Sequence, residues 1–252
     1  MSNKIAIITG GSRGLGKNAA LKLAEQGIDS ILTYHSKHEE AQAVVSEIQE
    51  KGAKAAALQL DVGDTQTFPA FVARLEKVLA EHWQRDRIDF LVNNAGVGLH
   101  LPYVQTREAE FDLLMNIHLK GPFFLTQTLL PLINDGGSIL NISTGLARFT
   151  LPGHSAYAAM KGAMEVLTRY QAKELGARGI RVNILAPGAI ETDFGNGTVR
   201  DNPEANQYIA ANTALGRVGL PDDIGGMVAM LLSDDSRWVN AQRIEASGGM
   251  FL

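Results

Sequence analysis

Short runs of apolar, β-branched residues alternate along the chain with longer segments whose apolar positions follow a helical period. The run Ile-Ala-Ile-Ile near the start is apolar at every position, which is typical of a parallel strand covered on both faces. This pattern predicts seven strands, at residues 5–9, 30–34, 55–60, 89–92, 138–142, 181–186 and 243–246. It predicts six helices between them, at residues 15–26, 39–51, 67–81, 108–133, 156–176 and 222–233.

Such regular alternation of strands and helices predicts an α/β fold with a doubly wound parallel sheet of about seven strands and helices on both faces. The length of 252 residues is compatible with a single domain over residues 1–252. The segment around 190–213 is rich in Gly, Asn and charged residues and contains no predicted strand. We expect a mobile, partly helical excursion there, lying over a substrate site.

The composition narrows the possible functions. The chain has no cysteine, so disulfides, thiolate nucleophiles and cysteine-based zinc sites are excluded. Its six histidines are scattered without an H-E-x-x-H pattern, and we expect no metal. The net charge of −4 gives no reason to expect nucleic-acid binding. The longest apolar segment is too short for a membrane span and no export signal precedes the first strand, so we expect a cytoplasmic protein.

A glycine-rich turn follows the first predicted strand and opens the first predicted helix. Glycines let the backbone approach a pyrophosphate, and the helix N-terminus offers free N–H groups to it. A structural turn alone is the competing interpretation, because a single glycine cluster is weak evidence. The residues that we expect to contact a dinucleotide here are Gly10, Ser12, Arg13, Gly14, Leu15 and Gly16.

The end of the second predicted strand favours a particular dinucleotide. An acidic residue at this place would bind the ribose 2′-hydroxyl of NAD, but the strand ends in Tyr34, His35, Ser36 and Lys37, and no carboxylate occurs before Glu39. With Arg13, this basic and hydroxyl-bearing segment would bind a 2′-phosphate by charge-assisted hydrogen bonds. We therefore favour NADP(H) over NAD(H). The alternative is that His35 and Lys37 are solvated loop residues.

Several motifs together resemble the short-chain dehydrogenase/reductase family in its one-domain form of about 250 residues, including its 3-oxoacyl-carrier-protein reductase-like members. The resemblance covers essentially the whole chain. It rests on the glycine turn from Thr9 to Gly16, Asp61-Val62, Asn93-Asn94-Ala95-Gly96, Asn116, Tyr157-x-x-x-Lys161, Pro187-Gly188-x-x-x-Thr192, the segment from Gly216 to Ile224, and Ser247-Gly248-Gly249. It implies a Rossmann-type fold, an oxidoreductase, and a homotetramer formed through helices 108–133 and 156–176.

The resemblance also implies roles for individual residues. Asp61 and Val62 would contact the adenine, and Pro187, Gly188, Ile190 and Thr192 would hold the nicotinamide end. Asn94, Ala95 and Gly96 would lie beside the cofactor, although Asn94 can instead tie neighbouring strand ends. Lys161 would bind the nicotinamide ribose, and Asn116 would carry a water in a proton relay from that lysine. The alternative for Asn116 is an ordinary polar helix position.

Tyr157 and Lys161 lie four residues apart in a predicted helix and therefore share one face. A free phenol has a pKa of about 10, and a nearby ammonium favours the phenolate and lowers that value. Tyr157 can then act as an acid toward a carbonyl that is reduced, or as a base toward an alcohol that is oxidised.

A hydroxyl should polarise the substrate carbonyl, and Ser143 and Thr144 compete for this role. They end a strand, so their side chains point to opposite faces and only one can face Tyr157. In the family the catalytic serine precedes the tyrosine by thirteen residues, which leads to Thr144 in this chain. We therefore expect Thr144 to replace the usual serine.

These observations predict an NADP(H)-dependent oxidoreductase that interconverts a small-molecule carbonyl and alcohol, with Asn116, Thr144, Tyr157 and Lys161 as catalytic residues and no metal. Two alternatives remain. One is an NAD-dependent dehydrogenase of alcohols, polyols or steroids, and the other is a dinucleotide-binding sensor without turnover.

Overall fold

The computed structural model describes residues 3–252 and contains one sheet of seven parallel strands. The strands are β1 (Ile5–Ile8), β2 (Asp29–Tyr34), β3 (Ala55–Gln59), β4 (Ile88–Asn93), β5 (Ile133–Ile142), β6 (Arg181–Pro187) and β7 (Arg243–Ala246). Their order across the sheet is β3-β2-β1-β4-β5-β6-β7. All seven predicted strands are confirmed. Six begin and end within one residue of the predicted bounds, and β5 starts five residues earlier.

Helices cover both faces of this sheet. They are α1 (Gly14–Glu25), α2 (His38–Glu50), α3 (Phe68–Trp83), α4 (Glu108–Met115), α5 (Gly121–Leu129), α6 (Ser155–Leu175), α7 (Thr198–Asp201), α8 (Pro203–Ala211) and α9 (Pro221–Leu232). Buried side chains of α1, α2 and α9 form one apolar core with Ala6 and Ile8 of β1. Those of α3, α5 and α6 form a second core with Ile5 and Ile7. The fold is therefore doubly wound, as predicted.

The strand order places a crevice beside the carboxyl ends of β1 and β4. The chain moves from β1 to β2 and β3 on one side, and continues from β4 on the other. In open parallel sheets, ligands bind at such a switch point, outside the carboxyl ends of the strands. The residues that follow β1, β4, β5 and β6 therefore meet at one edge of the molecule.

The predicted helix at residues 108–133 is interrupted in the structure. A π-helical turn over Asn116–Lys120 separates α4 from α5, and a short 3₁₀ turn follows before β5 begins at Ile133. Pro122 has no N–H to donate to the carbonyl of His118, four residues earlier, which breaks the regular ladder at this point. The prediction of one continuous helix was wrong because it ignored this proline.

The segment around 190–213 contains more helix than the sequence suggested. A turn over Phe194–Gly197 leads into α7 and then α8. The side chain of Asn202 accepts a hydrogen bond from the N–H of Ala205 (3.0 Å), which caps the start of α8. The segment lies over the crevice, because Thr192 approaches the glycine turn and Phe194 approaches Tyr157.

Buried amides fix the helices on one face of the sheet. The side-chain amide of Asn93, at the end of β4, donates to Thr126 of α5 (3.0 Å) and to Asn141 of β5 (2.8 Å). Asn141 in turn donates to Thr168 of α6 (2.9 Å). Since a buried polar group without a partner is costly, this chain of hydrogen bonds sets the positions of α5 and α6 relative to the strand ends.

Candidate active site

The glycine turn between β1 and α1 has the backbone that a phosphate cradle requires. Gly10 and Gly14 have φ angles of 65° and 55°, which side chains rarely tolerate. A Cβ at Gly16 would collide with the carbonyl oxygen of Gly10. Arg13 precedes α1, and its side chain does not cap that helix with a hydrogen bond. The first backbone N–H groups of α1 therefore have no side-chain acceptor from Arg13. Of the other predicted contacts, Ser12 and Leu15 are half-buried.

Asn94 ties two strand ends together. Its amide donates to the carbonyl oxygens of Thr9 (2.8 Å) and Gly10 (3.2 Å). The Thr9 hydroxyl accepts from the backbone N–H groups of Asn94 and Ala95 (both 3.0 Å). This is the structural role left open for Asn94 in the sequence, and it holds Ala95 and Gly96 beside the glycine turn.

The predicted basic segment lies exposed at the carboxyl end of β2. His35, Ser36 and Lys37 are exposed, and Tyr34 is half-buried. Nε2 of His35 lies 3.6 Å from the Asp61 carboxylate, and the Arg13 guanidinium lies 3.9 Å from Asp193. These exposed contacts are weak, so the Arg13 and His35 side chains can turn to an incoming phosphate at little cost. Val62, by contrast, is buried.

The residues after β6 lie across the crevice from α1. A Cβ at Gly188 would approach the Cα of Ser247 to 2.8 Å, and a Cβ at Gly14 would lie 3.6 Å from Thr192. Ile190 forms an isolated bridge with Gly219, and Pro187 ends β6 in a buried position. The structure therefore brings Thr192, one of the predicted nicotinamide-end residues, to within contact distance of the glycine turn.

Tyr157 and Lys161 lie one turn apart on α6 and are both buried. The Lys161 ammonium lies 5.7 Å from the centre of the Tyr157 ring and donates to the backbone carbonyl of Ile142 (2.7 Å). The Phe194 ring, from the excursion after β6, lies 5.8 Å from the Tyr157 ring. The two side chains thus share one face of α6, as their spacing predicts.

Burial dominates the protonation of this pair. It raises the pKa of the Tyr157 phenol above its usual value, and a hydrogen bond with the Thr144 hydroxyl offsets only part of this. Burial also lowers the pKa of the Lys161 ammonium to about 8. The Tyr157 pKa is thus raised, opposite to the direction that the sequence predicted from Lys161, because desolvation is the largest contribution. Tyr157 is therefore a neutral phenol at neutral pH.

The two adjacent hydroxyls after β5 point to different sides. The Thr144 hydroxyl lies beside the Tyr157 phenol and accepts from the N–H of Leu146 (3.3 Å). The Ser143 hydroxyl donates to Glu165 (2.8 Å), whose carboxylate also binds Arg243 (2.7 Å). The structure therefore places Thr144 beside the tyrosine and holds Ser143 in an ion-pair cluster behind it.

Asn116 and His118 occupy different sides of the π-helical turn. Asn116 is half-buried and makes no side-chain hydrogen bond to any of the described residues. His118 is 1% exposed, and its ring meets the Tyr157 ring edge to face at a distance of 5.0 Å. Thus the structure brings Thr144, Tyr157 and Lys161 together, whereas the helix residue packed against them is His118.

Comparison with known proteins assigns the family. A family model described as Enoyl-(Acyl carrier protein) reductase matches residues 10–251. The hydroxynaphthalene reductase-like protein Arp2 of Metarhizium brunneum is 35% identical over 260 residues, which cover 99% of this chain and 95% of that protein. The chain belongs to the short-chain dehydrogenase/reductase family. It is therefore an oxidoreductase, as the motifs predicted.

Solved structures of this family share the fold closely. The promiscuous reductase LugOII, which catalyses keto-reduction at C1 during lugdunomycin biosynthesis, superposes with a TM-score of 0.94 at 35% identity, covering 100% of this chain and 99% of that one. The angucycline C-6 ketoreductase LanV with bound NADP gives a TM-score of 0.94 at 34% identity, covering 99% and 96%.

Two further observations concern metal-ligating side chains and helix length in the part of the chain that the structure describes. Within residues 3–252, no cluster of three or more metal-ligating side chains could hold a metal ion. No helix in that range is long and apolar enough to cross a membrane.

The sequence carried a signal for His118 that the motif comparison overlooked. Leu114, His118, Leu125 and Leu129 recur at helical spacing and are all buried, so they mark the inner face of α4 and α5. Asn116 is two positions from His118 and therefore lies on another face. The periodicity alone could have identified the histidine.

The placement of the hydroxyls leads to a test. Replacing Thr144 by Ala removes the hydrogen-bond donor beside Tyr157 and should lower kcat for ketone reduction by about 10²-fold. Ser143→Ala is the matched control. It leaves Glu165 paired with Arg243, and we expect a much smaller loss of kcat. Steady-state kinetics would show this difference, and a larger loss in Ser143→Ala would return the role to the serine.

Proposed function

We propose that this protein is an NADPH-dependent ketoreductase whose substrate is a planar aromatic or polycyclic ketone. The observation that carries the proposal is the neutral, buried phenol of Tyr157 beside the Thr144 hydroxyl, at the carboxyl edge of a dinucleotide-binding sheet. A protonated phenol is the form that donates a proton to a carbonyl oxygen. In this form Tyr157 can protonate the carbonyl oxygen of a ketone as it is reduced.

The residues of the crevice fit a dinucleotide with a 2′-phosphate. The glycine turn and the open start of α1 would hold the pyrophosphate. His35, Ser36 and Lys37 follow the end of β2 and, with Arg13 of the glycine turn, would bind the 2′-phosphate. Asp61 lies at the same end of the sheet, where its Oδ1 accepts a hydrogen bond from the backbone N–H of Gly63 (2.8 Å). NADP(H) supplies or accepts the hydride when it is bound.

Side chains of the protein supply the proton that the carbonyl oxygen takes up. The Thr144 hydroxyl donates a hydrogen bond to the carbonyl oxygen, where negative charge develops, and the Tyr157 phenol gives that oxygen its proton. The phenolate left behind is stabilised by the ammonium of Lys161, which lies 5.7 Å from the ring centre. A lysine pKa of about 8 keeps most of that charge at neutral pH.

Aromatic side chains at the mouth of the crevice support the proposed substrate class. Phe194 is 46% exposed and faces Tyr157, and Phe149 packs on Phe251 with ring centres 4.9 Å apart. Such rings favour flat aromatic ligands. Two relatives point the same way, since they are described as a hydroxynaphthalene reductase-like protein and an angucycline ketoreductase.

An acyl-carrier substrate is less well supported. Arg178 is the basic residue that could contribute to a positively charged patch for a carrier protein, but its guanidinium already makes hydrogen bonds within the chain. It donates to the Asp135 carboxylate (2.8 Å) and to the backbone carbonyls of Leu130 (2.9 Å) and Ile133 (2.5 Å). Binding an acidic partner there would require these hydrogen bonds to be broken.

The test of this function is a cofactor and substrate panel. We expect NADPH to be consumed faster than NADH, and aromatic ketones to be reduced faster than 3-oxoacyl thioesters or sugars. Replacing Arg13 by Ala should raise KM for NADPH about tenfold and leave KM for NADH nearly unchanged. Lys77→Ala, an exposed charge change on α3, is the control. Faster turnover with NADH and a polyol would contradict the proposal, and binding without any turnover would favour a sensor.

We also propose a homotetramer in the cytoplasm. Adjacent helices leave large apolar side chains uncovered, namely Phe111, Leu113, Phe123, Phe124, Val166 and Tyr170. They lie on α4, α5 and α6, the elements through which the family forms its tetramers, and a second copy of this chain would cover them.

Light scattering tests the assembly. We expect a particle of four times the chain mass of 27.1 kDa. Val166→Asp places a charge on the uncovered face of α6 and should shift the protein to a smaller species. Glu50→Lys, an exposed charge change on α2 at the opposite face of the sheet, serves as the control. A monomeric wild-type protein would refute the tetramer.

A further inference from the structure

His118 is a buried histidine whose tautomer is set by one neighbour. Its Nε2 lies 2.8 Å from the carbonyl oxygen of Val97 and 3.3 Å from the N–H of the same residue. The shorter contact requires Nε2 to carry the hydrogen and donate it to the carbonyl. The other ring nitrogen, Nδ1, is then a bare acceptor. It is buried and has no hydrogen-bond partner among the described residues, which is costly.

A matching donor lies nearby. The ammonium of Lys161 has three N–H groups, and among the described residues it donates only to the carbonyl of Ile142. His118 and Lys161 are close enough for the lysine charge to lower the pKa of the histidine. Both side chains also flank Tyr157, with the His118 ring at 5.0 Å and the Lys161 ammonium at 5.7 Å from the tyrosine ring centre.

The imidazole ring is held firmly in this position. A Cβ on Gly96 would approach the Cε1 atom of His118 to 2.6 Å, so the ring packs directly on the glycine backbone after β4. The ring is nearly perpendicular to that of Tyr157, at 87°, which is a favourable aromatic arrangement. Pro122 further fixes the π-helical turn that carries the histidine.

We propose that His118, rather than Asn116, is the positioning residue of this site, and that its Nδ1 accepts, through one water, the hydrogen bond that orients the Lys161 ammonium beside Tyr157. The proposal rests on the ketoreductase function proposed above. It assigns to a neutral imidazole the part that the family resemblance gave to Asn116. Asn116 is half-buried, whereas His118 is buried and packs edge to face on the Tyr157 ring.

The histidine acts here without changing its protonation. Burial, and after it the charge of Lys161, lower the pKa of His118 to about 3. The ring is therefore neutral at every pH at which the enzyme would be assayed. It can accept a hydrogen bond from Lys161 but does not compete with it as a cation.

Two substitutions separate the two nitrogens of His118. In His118→Asn the amide oxygen can take the place of the Nδ1 acceptor, but the donor to Val97 is lost. In His118→Gln the amide nitrogen can keep the donor to Val97, but the acceptor at the Nδ1 position is lost. We expect His118→Asn to retain kcat within about threefold, and His118→Gln to lose about 10- to 100-fold in kcat with little change in KM for the ketone.

A purely structural role for the bond to Val97 would reverse this order, and that result would overturn the proposal. Thermal unfolding of both variants identifies losses that come from misfolding. Asn116→Ala is the matched comparison, and a larger loss of kcat there than in His118→Gln would also overturn the proposal.

An NMR measurement keeps the proposal separate from the proposed function. In ¹⁵N-histidine-labelled protein, the His118 signals, assigned by their absence in His118→Asn, should show hydrogen on Nε2 only. Replacing Lys161 by Met should shift the Nδ1 resonance toward that of a free acceptor. Hydrogen on Nδ1, or an unchanged Nδ1 resonance, would refute the contact with Lys161. Absence of ketone reduction in the wild-type protein would refute only the proposed function.

Discussion

The burial of the Tyr157–Lys161 pair is the constraint on which the site depends. In water the phenol and the ammonium would both keep their ordinary pKa values, but the low-polarity surroundings disfavour the charged form of each. The tyrosine is therefore held as a proton donor, and the lysine keeps its charge only up to a pKa of about 8. A hydrogen bond with Thr144 offsets part of the rise in the Tyr157 pKa, and the carbonyl of Ile142 accepts a hydrogen bond from Lys161.

The sheet explains how such a pair can be buried and still reach a substrate. Parallel strands end at one edge, and the hydrogen bonds from Asn93 through Asn141 to Thr168 fix α6 against that edge. The glycine turn after β1 lies at the same edge of the sheet, and its lack of side chains would let a dinucleotide approach the backbone there. The cofactor cradle and the proton donor thus come from different elements, and the fold alone sets their separation.

Much of this arrangement could be predicted from the sequence. Continuous apolar runs identified the seven strands, and the alternation of strand residues put Ser143 and Thr144 on opposite sides. Counting from Tyr157 selected Thr144, which the structure places beside the phenol while Ser143 binds Glu165. These features depend on local spacing, which a sequence displays directly.

Other features depend on burial and on contacts between distant residues, which the sequence does not display. The predicted direction of the Tyr157 pKa shift was wrong because desolvation depends on neighbours in space, such as Phe194 and His118, which the sequence does not show to be close. The break at Asn116–Lys120 was missed because helical periodicity was given more weight than Pro122. His118 itself was overlooked because a motif match drew attention to Asn116, two positions away.

The central claim is that the Tyr157 phenol gives the proton in ketone reduction. A single-turnover experiment with Tyr157→Phe tests it most directly, with NADPH binding measured separately by fluorescence. The account predicts that the dissociation constant for NADPH changes little, while the rate of hydride transfer to the ketone falls by about 10²- to 10⁴-fold. A hydride-transfer rate close to that of the wild-type protein would contradict it.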